Sequence, residues 1–195
     1  MRYTPENILN TFKSTFFLTD DTDKCSEQLL SGVKQGIEYL LNTKRTINQD
    51  TILNVNSCME NRYPYDIIKG KSFRLHNHTT NDFVLEPFDF SLIDLGINSL
   101  IHAVNEDLSM SPYERAAMVQ GAISYIRPFE SQNERTGRLI ACKILMDNDC
   151  RVKNHNIYLY RKALSKNHQA LLKLEDFEDL FAKENYSDLV KILCD

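Results

Sequence analysis

The chain has 195 residues, a hydrophobic content of 42% and a formal net charge of −4. This length predicts one domain over residues 1–195 with a sizeable core, and the charge gives no general attraction to nucleic acid or anionic membranes. The five cysteines form no CxxC pair, which favours reduced thiols and a cytoplasmic location. Residues 1–12 lack the apolar segment of a signal peptide, no apolar run is long enough to span a membrane, and secretion as an effector stays open.

Helical periodicity dominates the sequence, because apolar residues recur at intervals of three and four in most of the chain. The stretch beginning at Ser111 carries the clearest start signal, with Pro112 at the first helical position and Glu114 three residues after the cap, as in a capping box. We predict helices over residues 25–42, 49–63, 89–106, 111–126 and 133–146, and two or three short helices within residues 155–195.

One stretch departs from the helical pattern. Residues 72–87 contain two short extended runs, Phe73 to Leu75 and Phe83 to Leu85 (the second including Val84), on either side of a polar tip. This arrangement is typical of a β-hairpin. The predicted fold class is therefore mostly α, a helical bundle with one β-hairpin that precedes a central pair of helices.

The central pair of helices is joined by the polar turn within RPFESQNERTGRL, residues 127–139. The first N–H groups of the second helix have no partner within the helix and point into this turn, an arrangement that favours anions. Arg135 and Arg138 lie three residues apart on one face of that helix. Since guanidinium groups suit phosphate oxygens, the turn is predicted to hold the phosphates of a nucleotide.

This segment resembles the signature of the Fic family, which reads His-Pro-Phe-x-(Asp/Glu)-Gly-Asn-Gly-Arg-x-x-Arg. The residues that match it are Pro128, Phe129, Asn133, Arg135 and Arg138. Arg127 stands at the His position, Ser131 at the acidic position, and Gln132 and Glu134 at the two Gly positions. The preceding helix and the predicted hairpin also resemble the corresponding parts of that family, so that the likeness covers about residues 35–150.

The resemblance implies an activity and roles for individual residues. Fic proteins typically transfer AMP from Mg-ATP to a hydroxyl of a target protein, with the His as base and the acidic residue on Mg²⁺. By this resemblance Asn133, Arg135 and Arg138 would bind phosphate. The hairpin would be a flap that aligns the partner or target protein by strand addition. Its predicted contact residues are Phe73, Phe83, Val84 and Leu85.

The four departures all oppose that chemistry. Arg127 cannot act as a base, because guanidinium keeps its proton in proteins, and loss of a general base costs about 10²–10⁴ in rate. Ser131 offers Mg²⁺ no carboxylate. Gln132 and Glu134 place side chains where glycines let the backbone approach phosphates, and the Glu134 charge repels them. Ordinary AMP transfer is therefore predicted to be lost. The binding of ATP and Mg²⁺ as cofactors is predicted to be weakened, and no metal site is predicted.

Three interpretations follow. The first is a pseudoenzyme that binds a protein partner through its flap or other surfaces. The second is an active transferase with altered chemistry, in which Arg127 binds phosphate and the base comes from elsewhere. The third is a sensor of a phosphate-containing ligand. A further hypothesis is that Glu130 or Glu134 pairs with a motif arginine and fills the phosphate site.

Overall fold

The fold is taken from a computed structural model, which describes residues 3–16, 27–43, 46–60, 72–77, 88–152, 157–174 and 176–194. The α-helices in these ranges are α1 (Pro5–Phe16), α2 (Glu27–Asn42), α3 (Gln49–Met59), α4 (Ile93–Glu106), α5 (Pro112–Ile126), α6 (Asn133–Asp147), α7 (Ile157–Leu171) and α8 (Ser187–Cys194). Short 3₁₀ turns occupy Phe90–Leu92, Phe177–Phe181 and Lys183–Tyr186.

The predicted helices are confirmed, and the local signals explain where several of them begin. Ser111 and Glu114 form the predicted capping box at the start of α5, and Asn48 caps α3 by accepting a hydrogen bond from the Thr51 N–H at 2.8 Å. Because α3 stops at Met59, it is shorter than predicted. The tail contains one 15-residue helix, α7, followed by short turns and α8.

The predicted hairpin is not found in the part of it that the structure describes. Residues 72–77 form an irregular segment rather than the strand predicted at Phe73–Leu75. The backbone N–H of Arg74 donates instead to the carbonyl of Pro128 at 2.8 Å, so this segment lies against the turn between α5 and α6. The predicted second run, with Phe83, Val84 and Leu85, lies outside the described residues.

Helices α5 and α6 form the centre of the bundle. Their facing sides are almost fully buried, and they approach closely at Gly137, where an added Cβ would lie 3.2 Å from the carbonyl oxygen of Gln120 and from Cβ of Ile123. Helix α2 packs on α3, α3 packs on α6, and α8 packs on both α5 and α7. The turn after α5 therefore joins the two central helices of the bundle. Within the described ranges, no helix combines the length and apolarity needed to cross a bilayer.

Gly121 gives a test of this packing. An added Cβ at Gly121 would lie 2.6 Å from Oδ1 of Asn167 and 2.8 Å from two ring carbons of Tyr186. Because the Tyr186 ring is fully buried, Gly121→Ala is expected to lower the free energy of unfolding by about 1–3 kcal/mol, measured by urea denaturation.

The matched control is Gly36→Ala in α2, where the nearest atom is the end of the flexible Leu139 side chain at 3.2 Å. That variant is expected to change stability by less than about 1 kcal/mol, since alanine also favours the helix. Equal destabilisation by both substitutions would contradict the tight contact of α5 with α7 and with the 3₁₀ turn Lys183–Tyr186.

Candidate functional site

The turn between α5 and α6 contains two residues with left-handed backbone conformation. Arg127 ends α5 with φ 49°, and Gln132 precedes α6 with φ 63°. The signature has glycine at the position of Gln132, where an unusual backbone dihedral is expected. Gln132 adopts such a dihedral although it is not glycine, which lowers stability by on the order of 1 kcal/mol. Glu134 lies in the first turn of α6 and is exposed. A side chain at position 134 is therefore compatible with the backbone.

Asn133 fixes the shape of this turn from inside. Its Oδ1 accepts a hydrogen bond from the N–H of Phe129, and its Nδ2 donates to the carbonyl of the same residue, both at 2.9 Å. The Asn133 side chain is buried, and the Phe129 ring lies in the core. The amide thus satisfies two backbone groups that the turn would otherwise leave without partners.

Helix α3 holds the same turn from the other side. The fully buried Asn56 donates from Nδ2 to the carbonyl of Ser131 and to Oγ1 of Thr136, both at 3.1 Å. Thr136 Oγ1 in turn donates to the carbonyl of Gln132 at 2.9 Å. One turn along α3 from Asn56, the Glu60 carboxylate accepts a hydrogen bond from the Ser131 hydroxyl. The carboxylate of Glu60, the residue that follows α3, therefore lies beside the position where the signature has an acidic residue.

These groups do not fit a metal site. The Ser131 hydroxyl is neutral and donates a hydrogen bond to Glu60, while Mg²⁺ prefers several hard oxygen ligands. Across the described ranges, no group of three or more His, Cys, Asp or Glu side chains is placed to hold a metal ion.

The two arginines predicted to bind phosphate both contact groups of the protein itself. Arg135 Nη1 donates to Oε1 of Gln132 at 2.7 Å. The Arg138 side chain is only 6% exposed, and its guanidinium carbon lies 4.8 Å from the ring centroid of Tyr160. Burial lowers the pKa of Arg138, and the negative charge of Glu134 is one of the influences that oppose this.

Among the described residues, neither Glu130 nor Glu134 forms the predicted ion pair with a motif arginine. Glu130 lies 3.4 Å from Nε2 of His76 instead, and Glu134 is in none of the ion pairs among these residues. Among the described residues, Arg135 donates to the neutral amide of Gln132.

Arg74 joins the segment of residues 72–77 to the turn. Its guanidinium, 4% exposed, donates to the carbonyls of Arg127 at 2.8 Å and Ile126 at 3.3 Å, at the end of α5. The same group donates to the carbonyls of His76, at 2.8 Å, and Phe88. Carbonyls at a helix C-terminus favour a cation. One buried side chain thus holds three parts of the chain together.

Of the four predicted flap residues, the structure describes Phe73. Its ring lies 5.6 Å from the ring of Phe129, measured between centroids, and packs against the core. The neighbouring Leu75 is 79% exposed. Phe73 therefore supports the turn, whereas Leu75 presents an apolar surface to solvent.

His168 on α7 lies near the turn but was not singled out from the sequence. It is 8% exposed, and its ring centroid lies 5.9 Å from that of Tyr125. Burial, together with the positive charge of Arg127, lowers the pKa of His168 to about 4. No sequence signal pointed to His168, Glu60 or Arg74, since each meets the turn only through tertiary contacts.

With this geometry established, comparison with known proteins identifies the class. The model of the Fic/DOC family matches residues 46–145, which is just over half of the chain, and the chain belongs to that family. No curated protein matches the chain.

Solved structures with the same fold include Fic proteins of known origin. A Fic domain containing signaling protein from Bacteroides thetaiotaomicron superposes with a TM-score of 0.72 at 15% identity, covering 96% of this chain and 84% of that one. IbpAFic2 covalently tethered to Cdc42 gives 0.67 at 16% identity, and IbpAFic2 in complex with adenylylated Cdc42 gives 0.66 at 16%. In both, the match covers 98% of this chain and 64% of the IbpAFic2 chain. At these identities the likeness establishes the fold alone.

The four hydrogen bonds that the Arg74 guanidinium donates to backbone carbonyls predict a large effect of its removal. Arg74→Ala would leave the carbonyls of Ile126 and Arg127 at the end of α5, and those of His76 and Phe88, without this donor. It is expected to lower the free energy of unfolding by on the order of 3 kcal/mol. Arg74→Lys should recover only part of this, because an ammonium lacks the planar fork. Urea denaturation followed by circular dichroism measures both.

The control is Arg151→Ala, at an exposed position, which should change stability by less than about 0.5 kcal/mol. If Arg74→Ala were no more destabilising than Arg151→Ala, the Arg74 contacts would not hold these segments together.

The lowered pKa of His168 predicts a loss of stability in mild acid. An unfolded histidine takes up a proton near pH 6.5, but the folded protein resists protonation of His168 until about pH 4, so the unfolded state binds more protons between these values. The free energy of unfolding should therefore fall by about 3 kcal/mol from pH 6.5 to pH 4 through this group. Urea titrations across this range measure it.

His168→Gln should remove this component of the pH dependence, whereas His102→Gln, at an exposed position of α4, should retain it. A pH profile of His168→Gln that parallels the wild type would show that His168 does not contribute.

Proposed function

We propose that this Fic-family protein does not transfer AMP by the histidine mechanism of its family and works by binding a protein partner. The observation that carries the proposal is the internal use of both motif arginines. Arg135 donates to Gln132, and Arg138 is buried over the ring of Tyr160. A phosphate chain would have to displace Gln132 and reach a guanidinium that is closed from solvent.

The position of the family's base supports the same conclusion. Arg127 carries a guanidinium, a group that cannot serve as a general base in proteins, and its backbone carbonyl accepts a hydrogen bond from Arg74. His168 is neutral at physiological pH, but its Nε2 is closed from solvent and cannot take a proton from the hydroxyl of an external protein. A general base must lie within hydrogen-bond reach of the proton that it removes.

Electrostatics at the start of α6 also oppose a nucleotide. Glu134 places a carboxylate in the first turn of α6, where a negative charge stabilises the positive end of the helix dipole. In Fic proteins that bind phosphate at this helix start, the phosphate provides the negative charge. Here the Glu134 carboxylate provides it, so a bound phosphate would be repelled by that carboxylate.

A partner surface is supported by the apolar side chains near residues 72–77. Leu75 is 79% exposed, and Phe90 and Leu95 are 41% and 53% exposed. Asn77 Oδ1 accepts a hydrogen bond from the N–H of Phe90 at 2.8 Å, which holds the two segments together. The structural relative IbpAFic2 is seen with the protein Cdc42, and we propose that this chain likewise engages a protein, through this surface.

The test is calorimetric titration with ATP, with and without Mg²⁺. The wild type is expected to give no binding heat up to millimolar ATP. The combined variant Arg127→His, Ser131→Asp, Gln132→Gly, Glu134→Gly restores the family signature and is expected to bind ATP, because Arg135 and the helix start become available.

Adding Arg135→Ala to the combined variant is the control and should remove the gained binding. Micromolar binding of ATP by the wild type would overturn the proposal. Mass spectrometry of candidate target proteins would then look for a transferred group, as expected of a transferase with altered chemistry.

A second candidate function is a sensor of a phosphate-containing ligand. One observation favours it, namely that Arg138 keeps a buried positive charge over the ring of Tyr160 in α7. ATP binding by the wild type without transfer of any group would support this candidate over the first.

A further inference from the structure

Helix α7 differs from the rest of the chain in its charge. The chain has a net charge of −4, yet the sequence of α7, IYLYRKALSKNHQAL, contains no aspartate or glutamate. Its lysines and arginine are Arg161, Lys162 and Lys166. A surface that mixes charges of both signs produces no strong local field, whereas this segregation gives α7 a positive one.

The packing of α7 leaves these cations on its outer side. The inner residues Tyr160, Ala163, Leu164 and Leu171 are buried, and α7 packs against α5 and α8. The exposed positions between them include Tyr158, Leu159, Arg161, Lys162, Lys166 and Gln169. One side of α7 therefore belongs to the core, and the other presents its cations to solvent.

Two further lysines extend this outer side. Lys173 is exposed two residues beyond the end of α7. Lys191 of α8 lies beside Lys166, because their ammonium groups contact the same Asp188 carboxylate, at 3.4 Å and 3.2 Å. The α7 cationic face is defined here as Arg161, Lys162, Lys166, Lys173 and Lys191.

This face is only partly neutralised by the protein itself. Within the described ranges, the carboxylate that contacts it is that of Asp188. Three of its cations take part in no ion pair among these residues, namely Arg161, Lys162 and Lys173. The acidic 3₁₀ turn Phe177–Phe181 packs against α4 and α5 instead. The face therefore keeps an excess of positive charge.

Large apolar side chains accompany the cations at both ends of α7. Tyr158 is 80% and Leu159 is 54% exposed near its start, and Leu172 is 39% exposed just after its end. The Leu172 N–H donates to the carbonyl of His168 at 3.0 Å, so Leu172 continues the helical path. At 1.5 Å per residue the two ends lie about 20 Å apart. A flat partner that lies along α7 can contact both ends and the cations between them.

The chemistry of the face distinguishes between anionic partners. Four of its five cations are lysines, whose ammonium is a hydrated point charge on a flexible stem. Such groups suit the diffuse charge of a lipid surface, whereas recognition of individual phosphates or carboxylates favours the planar fork of arginine. Tyrosine and leucine side chains are stabilised at the boundary between water and acyl chains. Duplex DNA offers them no such apolar layer.

We propose that the α7 cationic face binds peripherally to an anionic lipid membrane, with its lysines against the headgroups and Tyr158, Leu159 and Leu172 touching the outer acyl layer. Each Lys or Arg close to an anionic membrane strengthens binding about fivefold. Acidic groups farther from the membrane than the Debye length, about 10 Å at 0.1 M salt, oppose this little. The inference goes beyond the proposed partner binding, since it uses neither the α5–α6 turn nor the surface around Leu75.

The experiment is co-sedimentation of the full chain with vesicles made of equal parts phosphatidylserine and phosphatidylcholine. At about 0.1 M salt the wild type is expected to sediment with these vesicles and not with vesicles of phosphatidylcholine alone. Binding should be lost at about 1 M salt, where the Debye length falls to about 3 Å.

Lys162→Glu should weaken binding to the phosphatidylserine vesicles by more than about tenfold, because it reverses one charge of the face. Leu159→Ser should also weaken it, by removing an exposed apolar group. The matched control is Lys34→Glu on α2, where the Lys34 side chain is 46% exposed. It makes the same change in net charge and should keep the binding. All three positions are exposed, so the variants should retain the circular dichroism and Tm of the wild type.

Failure of the wild type to sediment with the phosphatidylserine vesicles would overturn the proposal. Equal binding by Lys162→Glu and Lys34→Glu would do the same, as would full retention of binding by Leu159→Ser. Fluorescence anisotropy with a labelled DNA duplex is the parallel measurement, and binding of the duplex without the vesicles would assign the face to nucleic acid instead. Calorimetry with ATP tests the proposed function separately, because ATP would bind at the α5–α6 turn.

Discussion

The six-residue turn between α5 and α6 is a partly buried segment, and side chains of the surrounding structure provide hydrogen-bond partners for its backbone. Asn133 bonds to both backbone groups of Phe129, Asn56 bonds to the carbonyl of Ser131, and Arg74 bonds to that of Arg127. These side chains come from α6, α3 and the segment before α4. Because unsatisfied buried backbone groups are rare, the packing of these three elements on the turn is a condition of the fold.

This constraint changes how the family signature in the chain is understood. Pro128, Phe129 and Asn133 match the signature. In this structure the Asn133 side chain bonds to the backbone of Phe129, and the Phe129 ring packs in the core, so both residues stabilise the turn. Arg138 likewise packs within the bundle. Residues needed to build the fold can persist after the chemistry has changed. Their presence is therefore compatible with the proposed loss of AMP transfer.

The sequence predicted most of the helices, because helix starts and apolar periods are local signals. Ser111 and Glu114 lie three residues apart, and their capping box formed as predicted. The family of the chain was also accessible, since the signature is contiguous. The roles predicted for Asn133, Arg135 and Arg138 in phosphate binding stay predictions.

The remaining features of the site depend on contacts between distant parts of the chain. Glu60 meets Ser131 across 71 residues, and His168 of α7 packs against Tyr125 near the end of α5. The short extended run Phe73–Leu75 indicated a strand, but the sequence of such a run does not identify the backbone groups to which it bonds. Here it bonds to Pro128, and Arg74 between the two apolar residues points into the protein. Only the assembled helices create that carbonyl cluster.

The shared guanidinium of Arg74 has a mechanical consequence. The segment carrying Leu75 and the end of α5 are bonded to the same rigid planar group, so neither can be displaced far without disturbing the other. A protein that pulled residues 72–77 outward would strain the turn at Arg127. A change in the turn would in the same way alter the surface offered to that protein. By thermodynamic linkage, the free energy of such coupling is equal in both directions.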